Sequence, residues 1–120
     1  MIYENYMCRA SRTLLIGAGS SSAQLIRETS AYCDAIVAAD GGFEAAKQAG
    51  VQVALVVGDM DSQQALPAGQ AVAHITDQET TDFQKCLAVC DADVFLGVGF
   101  LGGRLDHQLA GFSALLNEPR

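Results

Sequence analysis

The sequence describes a short, acidic and moderately hydrophobic chain. Its 120 residues carry a formal net charge of −7, half of them are hydrophobic, and 18% are charged. This length and composition predict one folded domain with its own core and exclude an intrinsically disordered chain. The negative charge argues against a nucleic-acid partner, because no basic stripe is present to release counterions from a phosphate backbone.

No part of the sequence indicates membrane insertion or export. No apolar stretch approaches the ~20 residues that a membrane span requires. Near the amino terminus the apolar run covers only residues 13–17, which is too short for the hydrophobic region of a signal peptide. We therefore expect a cytoplasmic protein without a membrane or nucleic-acid partner.

Short apolar segments alternate along the chain with segments of helical character. After a polar lead-in over residues 1–12, buried strands are predicted at residues 13–16, 35–39, 53–57, 71–75 and 93–98. Helices are predicted at residues 22–31, 43–49 and 81–90, and from near Leu105 onward. This alternation indicates an α/β fold, a Rossmann-like three-layer domain over residues 13–120 with a mostly parallel sheet covered on both faces.

The predicted helices carry recognisable end signals. A serine precedes the first helix as an N-cap, and Gly50 follows the second as its C′ residue. Thr81 and Gln84 have the spacing of a capping box at the start of the third. These signals place the helix starts just after the predicted strand ends.

Two of the four cysteines, Cys86 and Cys90, lie four residues apart and could be read as half of a metal site. No second Cys or His pair with ligand spacing is present, which argues against this interpretation. Together with Phe83 and Leu87 the two cysteines have helical spacing. They are therefore predicted to be small buried residues on the core face of one helix.

Glycine and aspartate residues follow four of the predicted strands, at the edge where parallel sheets bind ligands. Several carboxylates converging on one crevice repel each other unless a cation lies between them, and Mg²⁺ prefers oxygen ligands. Each motif alone also has a simpler interpretation, as a turn or as a helix start favoured by the helix dipole. The four segments are Asp40-Gly41-Gly42, Gly58-Asp59-Met60-Asp61-Ser62, Asp77-Gln78-Glu79-Thr80-Thr81-Asp82, and Gly102-Gly103-Arg104-Leu105-Asp106-His107.

Three basic side chains are placed to act with these carboxylates. Arg104 follows two glycines and has the planar donor group that grips phosphate. Lys85 lies one turn into its helix, on the face of Asp82, and would act as a point charge. His107 could serve as an acid or base or orient the loop, and Arg104 could instead pair with Asp106.

The segment Gly17-Ala18-Gly19 after the first strand is a weak nucleotide-binding signal. It lacks the spaced third glycine and the later acidic residue of a dinucleotide-binding fingerprint. An oxidoreductase of that kind would also leave the acidic segments unexplained.

In this order, the segments resemble the catalytic domain of thiamine pyrophosphokinase (thiamine diphosphokinase). The resemblance runs from about Leu14 to the carboxyl terminus. It implies transfer of the β,γ-diphosphate of ATP to the hydroxyl of thiamine, with Mg²⁺, to give thiamine diphosphate and AMP. The segments that carry it are Ala39-Asp40-Gly41-Gly42, Gly58-Asp59-Met60-Asp61-Ser62, Asp77-Gln78, Thr81-Asp82-Phe83 with Lys85, and Gly102-Gly103-Arg104-Leu105-Asp106-His107.

The resemblance also implies roles for individual residues. The metal ligands would be Asp59, Asp61 and Asp82. Gln78 would face thiamine, and either Asp61 or Asp106 would accept the hydroxyl proton. The nucleotide and its phosphates would be bound by Asp40, Gly41, Gly42, Thr81, Lys85, Gly102, Gly103, Arg104, Asp106 and His107.

The sequence departs from the family pattern in places. Met60 replaces a usual Phe, and Val53-Ala54 replaces a Pro-Asp pair. The family's carboxyl-terminal β-sandwich domain, which helps to bind thiamine at a homodimer interface, is not among these residues. We therefore expect the chain by itself to bind Mg-ATP weakly and to turn over poorly.

Two other functions remain open at the level of the sequence. One is a diphosphokinase for another hydroxymethyl acceptor, such as a pterin, since the phosphate-binding residues would be the same. The other is a non-catalytic nucleotide-binding module. Release of AMP separates an enzyme from such a module.

Overall fold

A computed structural model describes residues 7–19, 21–59, 66–76 and 80–100. The strands are β1 (Cys8–Arg9), β2 (Arg12–Ile16), β3 (Ala35–Ala39), β4 (Leu55–Gly58), β5 (Val72–His74), β6 (Cys90–Asp91) and β7 (Val94–Val98). The helices are α1 (Ala23–Tyr32), α2 (Phe43–Ala49) and α3 (Asp82–Val89), and a 3₁₀ turn covers Asp40–Gly42.

Five strands form one parallel sheet in the order β5-β4-β3-β2-β7. In the register of the sheet, Leu15 on the central strand β2 lies between Val37 of β3 and Gly97 of β7. Every pairing within this sheet is parallel. The predicted α/β fold with a mostly parallel sheet is confirmed.

Successive residues of the strands enter two different cores, because side chains of a strand point alternately to its two faces. Leu14 and Ile16 pack with Ile26 of α1 on one face. Leu15 and Val37 pack on the other face with residues of α3. All five side chains are fully buried, and burial of each stabilises the fold by about 1.5–3 kcal/mol.

The helix ends follow the signals in the sequence. Ser22 is the N-cap of α1, and its side chain accepts a hydrogen bond from the backbone N–H of Leu25 at 3.0 Å. Gly50 ends α2 in the left-handed conformation, with φ of 76°. Helix α2 has the predicted bounds, and the predicted helix starts at the other two are confirmed within one or two residues.

The predicted third helix, over residues 81–90, was one residue too long at each end. Helix α3 ends at Val89, and Cys90 begins β6, which pairs in parallel with β1 as a separate two-stranded sheet. No element was predicted in the polar lead-in, yet it supplies β1. Strands of two residues have no hydrophobic period, and their partner lies far away in the sequence, so neither was predicted.

Two further predictions concern membrane insertion and the helix at the carboxyl terminus. In the part of the chain that the structure describes, no helix is long and apolar enough to cross a membrane. The helix predicted from near Leu105 lies outside the described residues.

Candidate active site

The two faces of the sheet are covered by different parts of the chain. Helices α1 and α2 pack on one face, next to β2 and β3, whereas α3 packs on the other, against β3 and β4. The strand order runs outward from β2 to β5 and then returns to β7 on the other side of β2. In parallel sheets, ligands bind beyond the carboxyl ends of the strands, next to such a reversal.

The loops after β2 and β7 are packed against each other at that edge. The backbone N–H of Gly19 donates a hydrogen bond to the carbonyl oxygen of Gly99 at 2.7 Å. A β-carbon added at Gly17 would lie 2.7 Å from the same oxygen and 2.6 Å from the ring of Phe100. The glycines of the Gly17-Ala18-Gly19 segment are therefore needed for this loop contact, whatever else they do.

The segment Asp40-Gly41-Gly42 joins the end of β3 to α2. At Gly42, the last residue of this segment, there is no space for a side chain. A β-carbon at Gly42 would lie 2.4 Å from the carbonyl oxygen of Ile16, so the start of α2 rests on the backbone of β2. Oδ1 of Asp40 accepts a hydrogen bond from the N–H of Gly41 at 2.7 Å. This bond holds the carboxylate at the carboxyl edge of the sheet.

The end of β4 lies against the same carboxylate. A β-carbon at Gly58 would be 2.6 Å from Cγ of Asp40. The next residue, Asp59, is half-buried. Glycine at position 58 thus lets the Asp40 carboxylate and the backbone leading to Asp59 share one small space.

The backbone at Asp59 is also tied to β5. Nε2 of His74 is 3.0 Å from the carbonyl oxygen of Asp59, and the N–H of Ile75 donates to the carbonyl oxygen of Gly58 at 2.7 Å. Sequence reasoning missed His74, because a contact with a backbone carbonyl leaves no pattern in the sequence. Its position at the end of a predicted strand was the only available signal.

Helix α3 begins at this edge with the predicted capping box. The N–H of Thr81 donates to Oε1 of Gln84 at 2.9 Å, and the N–H of Gln84 donates to Oγ1 of Thr81 at 3.1 Å. Asp82 is in the first turn, where the partial positive charge of the helix end stabilises a carboxylate. The cap therefore fixes the orientation of the helix turn that carries Asp82.

Lys85, one turn further, is only 8% exposed. Its surroundings are revealed by the neighbouring thiol of Cys86, which is fully buried. Burial is the main cause that raises the pKa of Cys86; the nearby charges of Asp82 and Asp40 raise it further, and Lys85 lowers it. The charges of Asp40, Asp82 and Lys85 thus all act on one buried thiol, and we call these three residues the charged cluster.

Two hydroxyl groups in the segments that flank this edge are buried without a hydrogen-bond partner. They are Oγ of Ser21, before α1, and Oγ1 of Thr80, before α3. A buried polar group left unsatisfied costs about 1–3 kcal/mol. A polar ligand or bound water at this edge would remove that cost.

Comparison with known proteins decides the family. Residues 26–119 match the family model described as thiamin pyrophosphokinase, catalytic domain. The chain belongs to this family. A comparison with curated proteins gave no significant match.

Solved structures of similar fold include one from Lactobacillus plantarum, with 28% identity and a TM-score of 0.66, covering 89% of this chain and 54% of that one. A thiamin pyrophosphokinase family protein from Enterococcus faecalis has 23% identity and a TM-score of 0.62. The match covers 89% of this chain and 55% of that protein. Thiamine pyrophosphokinase from Bacillus subtilis has 24% identity and a TM-score of 0.63. The match covers 87% of this chain and 54% of that protein. The chain therefore spans about half the length of these structures.

Several of the predicted site residues of this thiamin pyrophosphokinase domain are described by the structure. Asp40, Gly41, Gly42, Asp59, Thr81, Asp82 and Lys85 all follow the carboxyl ends of β3, β4 and β5. The other predicted site residues lie outside the described ranges: Asp61, Gln78, Gly102, Gly103, Arg104, Asp106 and His107.

The predicted magnesium site includes one of those outside residues, Asp61. Within the four described ranges, no three His, Cys, Asp or Glu side chains are grouped closely enough to hold a metal ion. The chemistry of the described members fits nonetheless, since Asp59 and Asp82 offer the carboxylate oxygens that Mg²⁺ prefers. The site at Asp59, Asp61 and Asp82 stays a prediction.

Grooves of about 450 and 490 Å³ lie at the opposite edge of the sheet, beside residues 51–54 that precede β4. Their volumes would admit a small molecule. Neither groove includes any member of the charged cluster. Because phosphate recognition needs positioned charge, the carboxyl edge is the better candidate for a nucleotide site.

Proposed function

We propose that this thiamin pyrophosphokinase domain binds Mg-ATP at the carboxyl edge of its sheet for the transfer of diphosphate to thiamine, with release of AMP. The observation that carries the proposal is the charged cluster, in which the charges of Asp40, Asp82 and the buried Lys85 all act on the Cys86 thiol. Such an arrangement suits diphosphoryl transfer, which depends chiefly on positioning and on stabilisation of phosphate charge.

Lys85 is the residue that would bind a phosphate oxygen of the nucleotide. Lys85 is only 8% exposed, so its charge is poorly screened by water. Thr81 holds the turn beneath it through the capping box. Asp40, with Gly41 and Gly42, would border the nucleotide at the neighbouring strand end.

Asp59, Asp61 and Asp82 would hold the magnesium ion. When bound, Mg²⁺ neutralises negative charge on the phosphate oxygens. Asp82 is oriented for this role by the first turn of α3, and the backbone of Asp59 is held by His74. The acceptor proton would pass to a carboxylate, Asp61 or Asp106.

The residues outside the described ranges complete the proposal. Arg104 would add the bidentate contacts to phosphate that a lysine cannot make. Gly102, Gly103 and His107 would border the same phosphates, and Gln78 would face thiamine. Residues 13–120 would thus form the nucleotide and magnesium part of the enzyme, which would be a cytoplasmic homodimer.

The activity is tested by AMP release from Mg-ATP, with and without thiamine. Because the chain spans about half of its solved relatives, the assay compares it alone with a fusion carrying the part of the Bacillus subtilis protein that it does not match. Thiamine-dependent AMP that is lost on Asp82→Asn, but not on Asp93→Asn at the opposite edge, supports the proposal. AMP release with a hydroxymethyl pterin and not with thiamine contradicts the acceptor.

A further inference from the structure

A pair of cysteines lies outside the charged cluster, on the two short strands β1 and β6. Cys8 and Cys90 are register partners in this parallel pair. The N–H of Met7 donates to the carbonyl oxygen of Val89 at 2.8 Å, and that of Ala10 donates to Asp91 at 3.1 Å. Backbone hydrogen bonds on both sides therefore fix the two cysteines opposite each other.

The geometry of such a pair suits a disulfide. Neighbouring strands lie about 4.7–4.9 Å apart, and register partners point to the same face. A disulfide bridges α-carbons about 4.4–6.8 Å apart. The two side chains are already within hydrogen-bond reach of each other.

The chemical surroundings favour Cys8 as the attacking group. The hydrogen bond from Cys90 lowers the pKa of Cys8 from its ordinary 9.0 to about 7, against the opposing effect of burial. Cys8 is also partly exposed, whereas Cys90 and Cys86 are buried. Burial raises the pKa of Cys33 and of Cys86, so neither of these thiols competes well as a nucleophile.

We propose that Cys8 and Cys90 form a reversible thiol–disulfide site that is oxidised by low-molecular-weight disulfides. The thiolate of Cys8 attacks one sulfur of the disulfide, forms a mixed disulfide and releases one thiolate. Cys90 loses its proton to that thiolate and attacks the sulfur of Cys8, which expels the second thiolate. In sum, two protein thiols become one disulfide, and one small disulfide is reduced to two thiols.

The site connects two separate parts of the domain. Cys90 directly follows α3, the helix that carries Asp82 and Lys85, and Cys8 precedes the central strand β2. The register pairing exists in the reduced chain, so oxidation requires no rearrangement of the fold. In the cytoplasm, such disulfides are transient and serve redox sensing more often than structure.

The test is incubation of the reduced chain with oxidised glutathione, followed by alkylation of the remaining thiols and peptide mapping. The expected product is one intramolecular disulfide that links the peptides of Cys8 and Cys90 and leaves Cys33 and Cys86 alkylated. Dithiothreitol should reverse it. Four free thiols after treatment, or a disulfide that joins two chains through Cys33, would overturn the proposal.

Variants separate the two steps. Cys90→Ala should accumulate glutathione on Cys8, since the second thiol is missing, whereas Cys33→Ser should form the same disulfide as the parent chain. If Cys90→Ala does not fold, the pH dependence of alkylation in the unaltered chain tests whether Cys8 is the attacking thiol. The rate of alkylation of Cys8 should rise with a midpoint near pH 7. A midpoint at or above that of Cys33 would contradict the role of Cys8.

Discussion

The carboxylate of Asp40 lies in the space that a side chain at position 58 would need. A β-carbon on Gly58 would be 2.6 Å from Cγ of Asp40 and 2.7 Å from its Oδ2. The ends of β3 and β4 therefore pack closely against each other at the proposed nucleotide site. The contact explains why a glycine precedes Asp59.

Gly58→Ala should therefore destabilise the fold by about 1–3 kcal/mol, as overpacking of a filled space does, and should displace Asp40 from the N–H of Gly41. The free energy of unfolding by urea denaturation measures the effect. A double-mutant cycle with Asp40→Ala isolates the contact from the backbone cost of alanine at this position. Additive effects of the two changes would show that the contact does not matter.

Lys85→Met should weaken Mg-ATP binding and should also destabilise the fold. Hydrogen bonds to a charged group contribute about 1.5–3 kcal/mol, which corresponds to a roughly 10–150-fold loss of affinity. The substitution removes the positive charge of the cluster and keeps the two carboxylates, and loss of one partner from a buried set of opposite charges is destabilising. Calorimetric titration and thermal unfolding measure the two effects.

Lys47→Met is the matched control, because it removes the same charge from an exposed position on α2 beside the groove at the opposite edge. Equal affinities of the two variants would remove Lys85 from the proposed site. A loss of Mg-ATP affinity confined to Lys47→Met would indicate that the nucleotide binds in that groove instead.

Loss of the cap of α3 should affect binding as well as stability. Thr81→Ala removes the hydrogen bond to the N–H of Gln84, and loss of a cap costs about 1 kcal/mol. Ser22→Ala removes the equivalent bond in α1 and should destabilise the fold similarly. Only Thr81→Ala should also lower the affinity for Mg-ATP, and Thr81→Ser should retain the affinity of the parent chain. Equal affinities of Thr81→Ala and Ser22→Ala for Mg-ATP would contradict the role of the cap.

Stability of the reduced chain should rise between pH 7 and pH 9. Cys8 in the folded chain has released its proton near pH 7, whereas the unfolded chain holds it up to about pH 9; since the unfolded state binds more protons in this window, stability increases with pH. Above that window the raised pKa of Cys86 acts in the opposite direction. Urea unfolding at several pH values should show the rise in the parent chain and in Cys33→Ser, but not in Cys8→Ser.

The predictable part of the fold is the part specified by local signals. Helix α2 follows from its apolar spacing and Gly50, and the cap of α3 follows from Thr81 and Gln84. The strands of the main sheet follow from short apolar runs between glycines. Pairing of β1 with β6 was not predictable, because it depends on a contact between residues 8 and 90.

The candidate site was predictable to a similar extent. Asp40, Asp82 and Lys85 were expected together because each follows a strand that ends at the same edge of a parallel sheet. Their common electrostatic effect on Cys86 was not, since the sequence predicts only a buried cysteine there. The contact of His74 with the backbone of Asp59 likewise depends on the paired ends of β4 and β5.

The most direct test of the proposed nucleotide site is an NMR titration of the isotopically labelled chain with Mg-ATP, read from the backbone amide shifts. The proposal predicts that the largest shifts occur at residues 40–42 and 81–85, around the charged cluster, and that Lys85→Met suppresses them. Shifts concentrated at residues 51–54, at the opposite edge of the sheet, would contradict it. Absence of any saturable shift would contradict nucleotide binding by this chain.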